Sequence, residues 1–148
     1  GNTEKVARAM AAAYPDPAGI EVVQVASLTP EQLAGVELLI VGSPTRAFRP
    51  WEETKKWMKG LTPGSLKGIK VAAFDTRISV KDANNAFLTL MVKLFGYAAK
   101  PIADAMLKAG GTLLAEPEGF YVKASEGPLK DGELERAAKW ARGLFAKL

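Results

Sequence analysis

Polar residues directly follow two apolar runs of the sequence, and a third polar stretch precedes the first amphipathic segment. Residues 38–41 are followed by Ser43, Pro44, Thr45 and Arg46; residues 69–74 are followed by Asp75, Thr76 and Arg77; and the chain opens with Gly1, Asn2 and Thr3. The free N–H groups at the start of a helix, together with a hydroxyl such as that of Thr3, can receive a phosphate. Because open parallel sheets bind ligands at the carboxyl ends of their strands, these stretches are the candidate functional residues.

The elements that must position these residues are strands that alternate with helices. Runs 38–41 and 69–74 are almost entirely apolar, as strands covered on both faces require. Strands are also predicted at 19–25 and 112–115, and an extended segment is predicted at 116–132. Helices are predicted at 2–13, 29–33, 51–61, 87–95, 101–109 and 133–147, the last with Leu134, Ala137 or Ala138, Ala141, and Leu144 or Phe145 facing inward. This alternation predicts an α/β fold, a doubly wound parallel sheet with helices on both faces, in a single domain of residues 1–148.

The composition excludes several classes of chemistry. The 148 residues include no cysteine and no histidine, which excludes disulfides, thiolate nucleophiles, Cys or His metal ligands and imidazole bases. The net charge is +4, but basic and acidic residues are interspersed, which favours a solvated basic surface over a nucleic-acid interface. The longest apolar stretch, 86–99, is too short and too interrupted to span a membrane. We therefore expect a cytoplasmic protein with no metal site, no nucleic-acid partner and no membrane span.

The sequence opens on a helix rather than on a strand. In a doubly wound sheet the strand that feeds the first helix is normally central, and its omission would expose backbone N–H and C=O groups on both neighbouring strands. We therefore expect about ten further residues before Gly1, or a strand that another chain supplies.

Several segments resemble those of the flavodoxin family. Gly1-Asn2-Thr3 is similar to the second half of the family's phosphate loop, and residues 41–45, Val-Gly-Ser-Pro-Thr, resemble the end of its third strand. Residues 119–122, 126–129 and 132–135 resemble the last strand and final helix of single-domain bacterial and archaeal members. The resemblance covers nearly the whole chain except a first strand. It implies a flavodoxin-like sheet of strand order 2-1-3-4-5, with FMN bound at the point where the order reverses.

The resemblance also implies which residues contact FMN. Those expected around the phosphate are Gly1, Asn2 and Thr3, and those expected around the flavin ring are Ser43, Pro44, Thr45, Arg46, Ala47, Phe48, Asp75, Thr76 and Arg77. Phe48 or Trp51 would stack on the ring, and Phe48 is preferred because Trp51 can instead pack below the loop. No residue is expected to be catalytic, since the flavin carries the redox chemistry. The alternatives are a simple helix cap at the first stretch and a solvated turn at the last.

The sequence departs from the family pattern in two respects. The aromatic residue usual after the fourth strand is replaced by Asp75-Thr76-Arg77, and the chain is basic whereas electron-carrying flavodoxins are typically acidic. Arg46, Arg49 and Arg77 near a reduced flavin would stabilise its negative charge and make it a weaker reductant.

Three functions follow from the resemblance. The preferred one is electron transfer by bound FMN, with a redox partner protein or a small-molecule donor and acceptor. The second is a flavin-dependent NAD(P)H or quinone reductase, because Pro44-Thr45-Arg46 with a nearby Phe resembles the Pro-Thr-Arg-Phe loop of flavodoxin-like quinone reductases. The third is a binding module of the same fold that has lost FMN. The sequence leaves open whether the protein is an enzyme.

An apolar helix follows the second polar stretch. Its large residues are Phe87, Leu88, Met91, Leu94 and Phe95. They predict a helix face directed to the core, and the alternatives are a lid over the flavin or a surface for a homodimer.

Overall fold

A computed structural model describes residues 1–46, 49–79, 86–124 and 126–148, with the side chains in those ranges except for Arg46, Leu88, Leu94 and Phe95. The helices are α1 (Asn2–Ala12), α2 (Glu52–Gly60), α3 (Ala86–Phe95), α4 (Ala99–Lys108) and α5 (Glu133–Phe145). The strands are β1 (Leu38–Arg46), β2 (Arg49–Pro50), β3 (Lys70–Ile78), β4 (Thr112–Leu113) and β5 (Glu118–Val122). Short 3₁₀ helices lie at Pro17–Gly19, Val25–Ser27 and Pro30–Leu33.

The sheet is parallel except at β2. β1 pairs with β3 from Leu38 opposite Lys70 to Pro44 opposite Thr76. β4 and β5 pair one after the other with the opposite edge of β3, β4 near its start and β5 near its end. β2 folds back antiparallel onto the last two residues of β1. The spatial order of the strands in the sheet is β1, then β3, then β4 and β5 together. This order matches the last three positions of the predicted order 2-1-3-4-5.

Helices cover both faces of this sheet, as predicted. On one face, α4 and α2 pack on a core that includes Val71, Ala73, Ile102 and Met106. On the other face, α1 and α5 pack against Phe74 of β3 and Phe120 of β5. The helices themselves contribute Val6, Met10, Ala137 and Ala141 to this core. The aromatic rings of Phe74 and Phe120 meet edge to face, with their centroids 5.9 Å apart. The α/β prediction is therefore confirmed.

The predicted strand at residues 19–25 is wrong. The structure has a 3₁₀ helix at each end of this segment, and residues 20–24 belong to neither a helix nor a strand. Alternating β-branched residues favour a strand, but a strand forms only where a neighbour supplies hydrogen bonds and packing. Within the described ranges no strand pairs with this segment.

The orientation of α5 also differs from the prediction at its first turn. Ala137, Ala141 and Leu144 are buried as expected, whereas Leu134 is 42% exposed and Glu133 is buried in its place. The carboxylate of Glu133 accepts the N–H of Tyr121 at 2.7 Å and pairs with Arg136 at 2.7 Å. These bonds fasten the start of α5 to β5, and they offset the cost of burying a charge.

A candidate ligand site at the carboxyl edge of the sheet

A cleft of about 1200 Å³ runs along α1 and β1. Its end at the carboxyl edge of the sheet, which we call the polar mouth, is lined by Gly1, Asn2, Thr3, Pro44, Thr45, Thr76 and Arg77. The remainder lies between α1, the first half of β1 and residues 20–25. Seven residues predicted from the sequence to contact a cofactor therefore line one mouth.

The start of α1 is fixed at the polar mouth by two side-chain contacts. The hydroxyl oxygens of Thr3 and Thr76 are 2.8 Å apart, and Nδ2 of Asn2 donates to the carbonyl of Gly127 at 2.5 Å. Gly1 is the N-cap of α1, and Asn2 and Thr3 are its first two helical residues. Gly1 has no side chain to accept the first-turn N–H groups, which can therefore bind an anion.

Ser43 and Thr45 lie near the carboxyl end of β1. The Ser43 hydroxyl is buried behind the mouth, where it donates to the carbonyl of Pro44 and accepts the N–H of Trp51, both at 2.9 Å. Oγ1 of Thr45 accepts the N–H of Ala98 at 3.2 Å. Both hydroxyls hold the protein's own backbone, so Ser43 supports the mouth without lining it.

Asp75 is fully buried and paired with Arg77. Its carboxylate oxygens accept Nε and Nη2 of Arg77 at 2.5 and 2.7 Å, and one also accepts the N–H of Ala99 at 2.9 Å. Burial raises the pKa of Asp75, and it outweighs the lowering by Arg77 and by the Ala99 N–H. Asp75 therefore lies behind the mouth and neutralises the charge of Arg77, rather than facing a ligand.

Two residues that sequence reasoning missed enclose Arg77. Its guanidinium carbon lies 3.7 Å from the centre of the Tyr97 ring, and burial raises the pKa of Tyr97. On β5, Gly119 leaves room for the same guanidinium, which a β-carbon at that position would overlap. No local pattern marks either residue, because both contacts join segments distant in the sequence.

The remaining predicted site residues are placed as follows. Ala47, Phe48 and the side chain of Arg46 lie outside the described residues, so stacking of Phe48 on a ring stays a prediction. Trp51 is 48% exposed and lines the cleft. Arg49 lines a separate pocket with Lys55 and Lys59, and its effect on a reduced flavin stays a prediction.

The parts of the chain that the structure describes lack two kinds of feature. No helix there is long and apolar enough to cross a membrane. The same residues contain no group of three or more acidic side chains placed to hold a metal ion.

The parallel order of β1, β3 and β5, with helices on both faces, defines a flavodoxin-like fold. The match to oxidised flavodoxin 1 from Bacillus cereus covers 100% of this chain and 92% of that flavodoxin, with a TM-score of 0.74 and 17% sequence identity. The match to a flavodoxin from the domain Archaea covers 99% of this chain and 90% of that flavodoxin, with a TM-score of 0.73 and 20% sequence identity. The match to a short-chain flavodoxin associated with a non-canonical PDU bacterial microcompartment covers 99% of this chain and 90% of that flavodoxin, with a TM-score of 0.66 and 21% sequence identity. No protein-family model and no curated protein matches the sequence.

Proposed function

We propose that the protein binds FMN at the polar mouth and transfers electrons between FMN and a redox partner protein or a small molecule. The observation that supports this proposal is the convergence of α1, β1 and β3 on one polar mouth, at the edge where open parallel sheets bind ligands. The flavodoxin-like fold agrees with it. When bound, FMN supplies the redox chemistry, and the protein supplies binding and orientation.

Each part of the polar mouth has a role in this proposal. The first-turn N–H groups of α1 and the hydroxyls of Thr3 and Thr76 bind the phosphate. The residues at the carboxyl ends of β1 and β3 that line the mouth flank the flavin ring; they are Pro44, Thr45, Thr76 and Arg77. Because Asp75 balances the charge of Arg77, that arginine stabilises a reduced flavin less than the sequence implies.

FMN titration of the apoprotein tests the proposal, with flavin fluorescence as the readout. We expect saturable binding by the unaltered chain and about tenfold weaker binding by Thr3→Val and by Thr76→Val, since each removes one hydroxyl partner. Thr112→Val, which alters an exposed hydroxyl on β4 outside the cleft, is the matched control and should bind FMN unchanged.

Each outcome of the titration discriminates between functions. A folded chain that does not bind FMN would overturn the proposal and favour a module that has lost the cofactor. Bound flavin that NADPH reduces without a separate reductase would favour the NAD(P)H or quinone reductase. A carrier needs that reductase. The cytoplasmic location stays a prediction.

A homodimer through α3 also stays a prediction. Phe87 and Leu90 on this helix are 66% and 52% exposed. Sedimentation of the protein at several concentrations would detect such a dimer.

A further inference from the structure

A pocket of about 500 Å³, which we call the basic pocket, lies between α2, α4 and β2. Its cations are Arg49 of β2 and Lys55 and Lys59 of α2, and none of the described residues that line it is acidic. Asp104 of α4 is close to the lining in sequence, but it is paired with Lys100 at 3.2 Å. The charge of the lining therefore favours an anion.

The rest of the basic pocket is apolar. Its other lining residues are Pro50 of β2, Met58 of α2, and Pro101 and Ala105 of α4. Met58, Pro101 and Ala105 are only partly buried, so apolar surface stays in contact with water between the two helices. A ligand with an apolar body would remove that surface from water, which is favourable. The pocket thus combines apolar surface with positive charge.

One carboxylate competes for these cations. Glu52, which is itself exposed, forms an ion pair with Lys55. Lys55 lowers the pKa of Glu52 through their hydrogen bond and through its charge, and the charges of Lys59 and Arg49 lower it further. The three cations therefore act on one region of the surface, where Glu52 balances one of them. An anion that enters the pocket meets the excess positive charge of the other two.

The size of the basic pocket favours a small molecule over a protein partner. A volume of about 500 Å³ lies within the range of small-molecule sites. Seven described residues line the pocket, whereas each side of a standard protein–protein interface contributes about 20–30 residues. An arginine beside lysines suits a phosphate or carboxylate group, because the guanidinium can bind two oxygens at once.

We propose that the basic pocket binds a small organic anion. Its phosphate or carboxylate group is held by Arg49, Lys55 and Lys59, and its apolar body covers Met58 and Pro101. The basic pocket and the polar mouth share no lining residue. The inference therefore does not depend on FMN.

Titration with naphthyl phosphate, followed by NMR, tests the inference. This probe carries an apolar body and a phosphate, while naphthol and inorganic phosphate each supply one half of it. We expect saturable shifts of the Met58 methyl group and of the amides at 102–105, with a Kd on the order of 0.1 mM. Each half alone should bind at least about tenfold more weakly, because it contacts only part of the pocket. Naphthoate, titrated in parallel, should also bind and shows which anionic group is preferred.

Release of Lys55 should strengthen binding. Glu52→Gln removes the carboxylate that balances this cation, and the affinity for naphthyl phosphate should rise about threefold. Glu53→Gln is the matched control, since Glu53 lies in the same turn of α2 and is exposed but lines the cleft. The control should leave the affinity unchanged. A gain of affinity in one variant alone cannot come from misfolding.

Removal of two cations should weaken binding. Arg49→Gln combined with Lys59→Met should lower the affinity for naphthyl phosphate at least about tenfold. The control combines Lys56→Met with Lys67→Gln, which removes the same charge from two exposed residues outside the lining. This control should bind the probe nearly as well as the unaltered chain, because exposed charges at a distance are screened by salt.

Three results would overturn the inference. The first is the absence of saturable shifts at the basic pocket, including shifts confined to Thr3 and Thr76, which would place the probe in the polar mouth. The second is naphthol binding as tightly as naphthyl phosphate. The third is an equal loss of affinity in both double variants, which would show that only the net charge matters. Failure of FMN to bind would leave all these readouts unchanged.

Discussion

β1 and β3 lie side by side and have equally apolar sequences, yet they differ in burial. Val71 to Phe74 of β3 are at most 2% exposed, whereas Leu38, Leu39 and Ile40 of β1 are only partly buried. β3 pairs with β1 on one edge and with β4 and β5 on the other, but one edge of β1 borders the cleft. The burial of a strand is thus decided by what lies on both of its edges, in addition to its own sequence.

The two strands are also complementary where they pair. Gly42 lies opposite Phe74, and Ser43 lies opposite Asp75. The Phe74 ring occupies the space where a β-carbon of residue 42 would be. At these two positions a large or charged side chain of β3 faces a small residue of β1, so substitutions on the two strands should have different costs there.

The largest expected effect comes from truncation on β3. Phe74→Ala removes a fully buried ring and should lower the free energy of unfolding by about 4 kcal/mol. Ile40 of β1 contacts the same core but is only partly buried, so Ile40→Ala should lower the free energy of unfolding by about half as much. Urea denaturation measures both, and equal losses would contradict the contrast between the strands.

The next effect concerns the charge at the end of β3. Arg77→Gln leaves the buried Asp75 carboxylate without its cation and should cost about 3 kcal/mol at neutral pH. Because the pKa of Asp75 is raised above 3.8, its ionisation opposes folding as pH rises from that value through the folded pKa. The loss should therefore shrink toward pH 3.8. Asp75→Asn combined with Arg77→Gln is the control, and a loss independent of pH in the single variant would contradict the assignment.

A smaller effect is expected at the glycine of β1. Gly42→Ala forces its β-carbon into the Phe74 ring and should cost about 2 kcal/mol. Gly143→Ala in α5, where no atom lies near the new methyl group, should instead stabilise the protein by up to about 1 kcal/mol. Thermal unfolding compares them, and a neutral Gly42→Ala would show that β1 adapts more freely than its register implies.

The smallest effect tests the strand that closes the second edge of β3. Burial raises the pKa of Glu133, but hydrogen bonds from Arg136 and from the Tyr121 N–H outweigh it and hold that pKa below 4.5. The carboxylate therefore contributes stability above pH 4.5, which is lost as pH falls through the folded pKa. Glu133→Gln should cost about 1 kcal/mol at neutral pH and nothing in strong acid. Glu135→Gln, at an exposed position of α5, should have no effect at either pH.

The sequence predicted the elements whose pattern is local. The spacing of apolar residues gave the helices within one or two residues at most of their ends, and continuous apolar runs gave β1 and β3. Residues 19–25 were predicted as a strand, since their β-branched pattern is local, but strand formation requires a partner. Glu133 rather than Leu134 is buried at the start of α5, because the carboxylate of Glu133 accepts the N–H of Tyr121.

The candidate site was predictable to the extent that it follows from sheet topology. Strand ends of a parallel sheet lie at one edge, which brought Thr3, Thr45 and Thr76 to one mouth. The position of Asp75 behind the mouth was not predictable, because its carboxylate is held there by the Ala99 N–H at the start of α4 and by Arg77. Such a contact has no signal in the residues next to Asp75.

Trp51 provides an optical probe built into the molecule. Its backbone N–H is bonded to Ser43, while its half-exposed indole faces the cleft. Trp57 and Trp140 pack against the two cores instead. The emission of the exposed indole should therefore respond to anything that enters the cleft, while the other two report on folding. Occupancy and unfolding can thus be followed separately, in one cuvette and without a label.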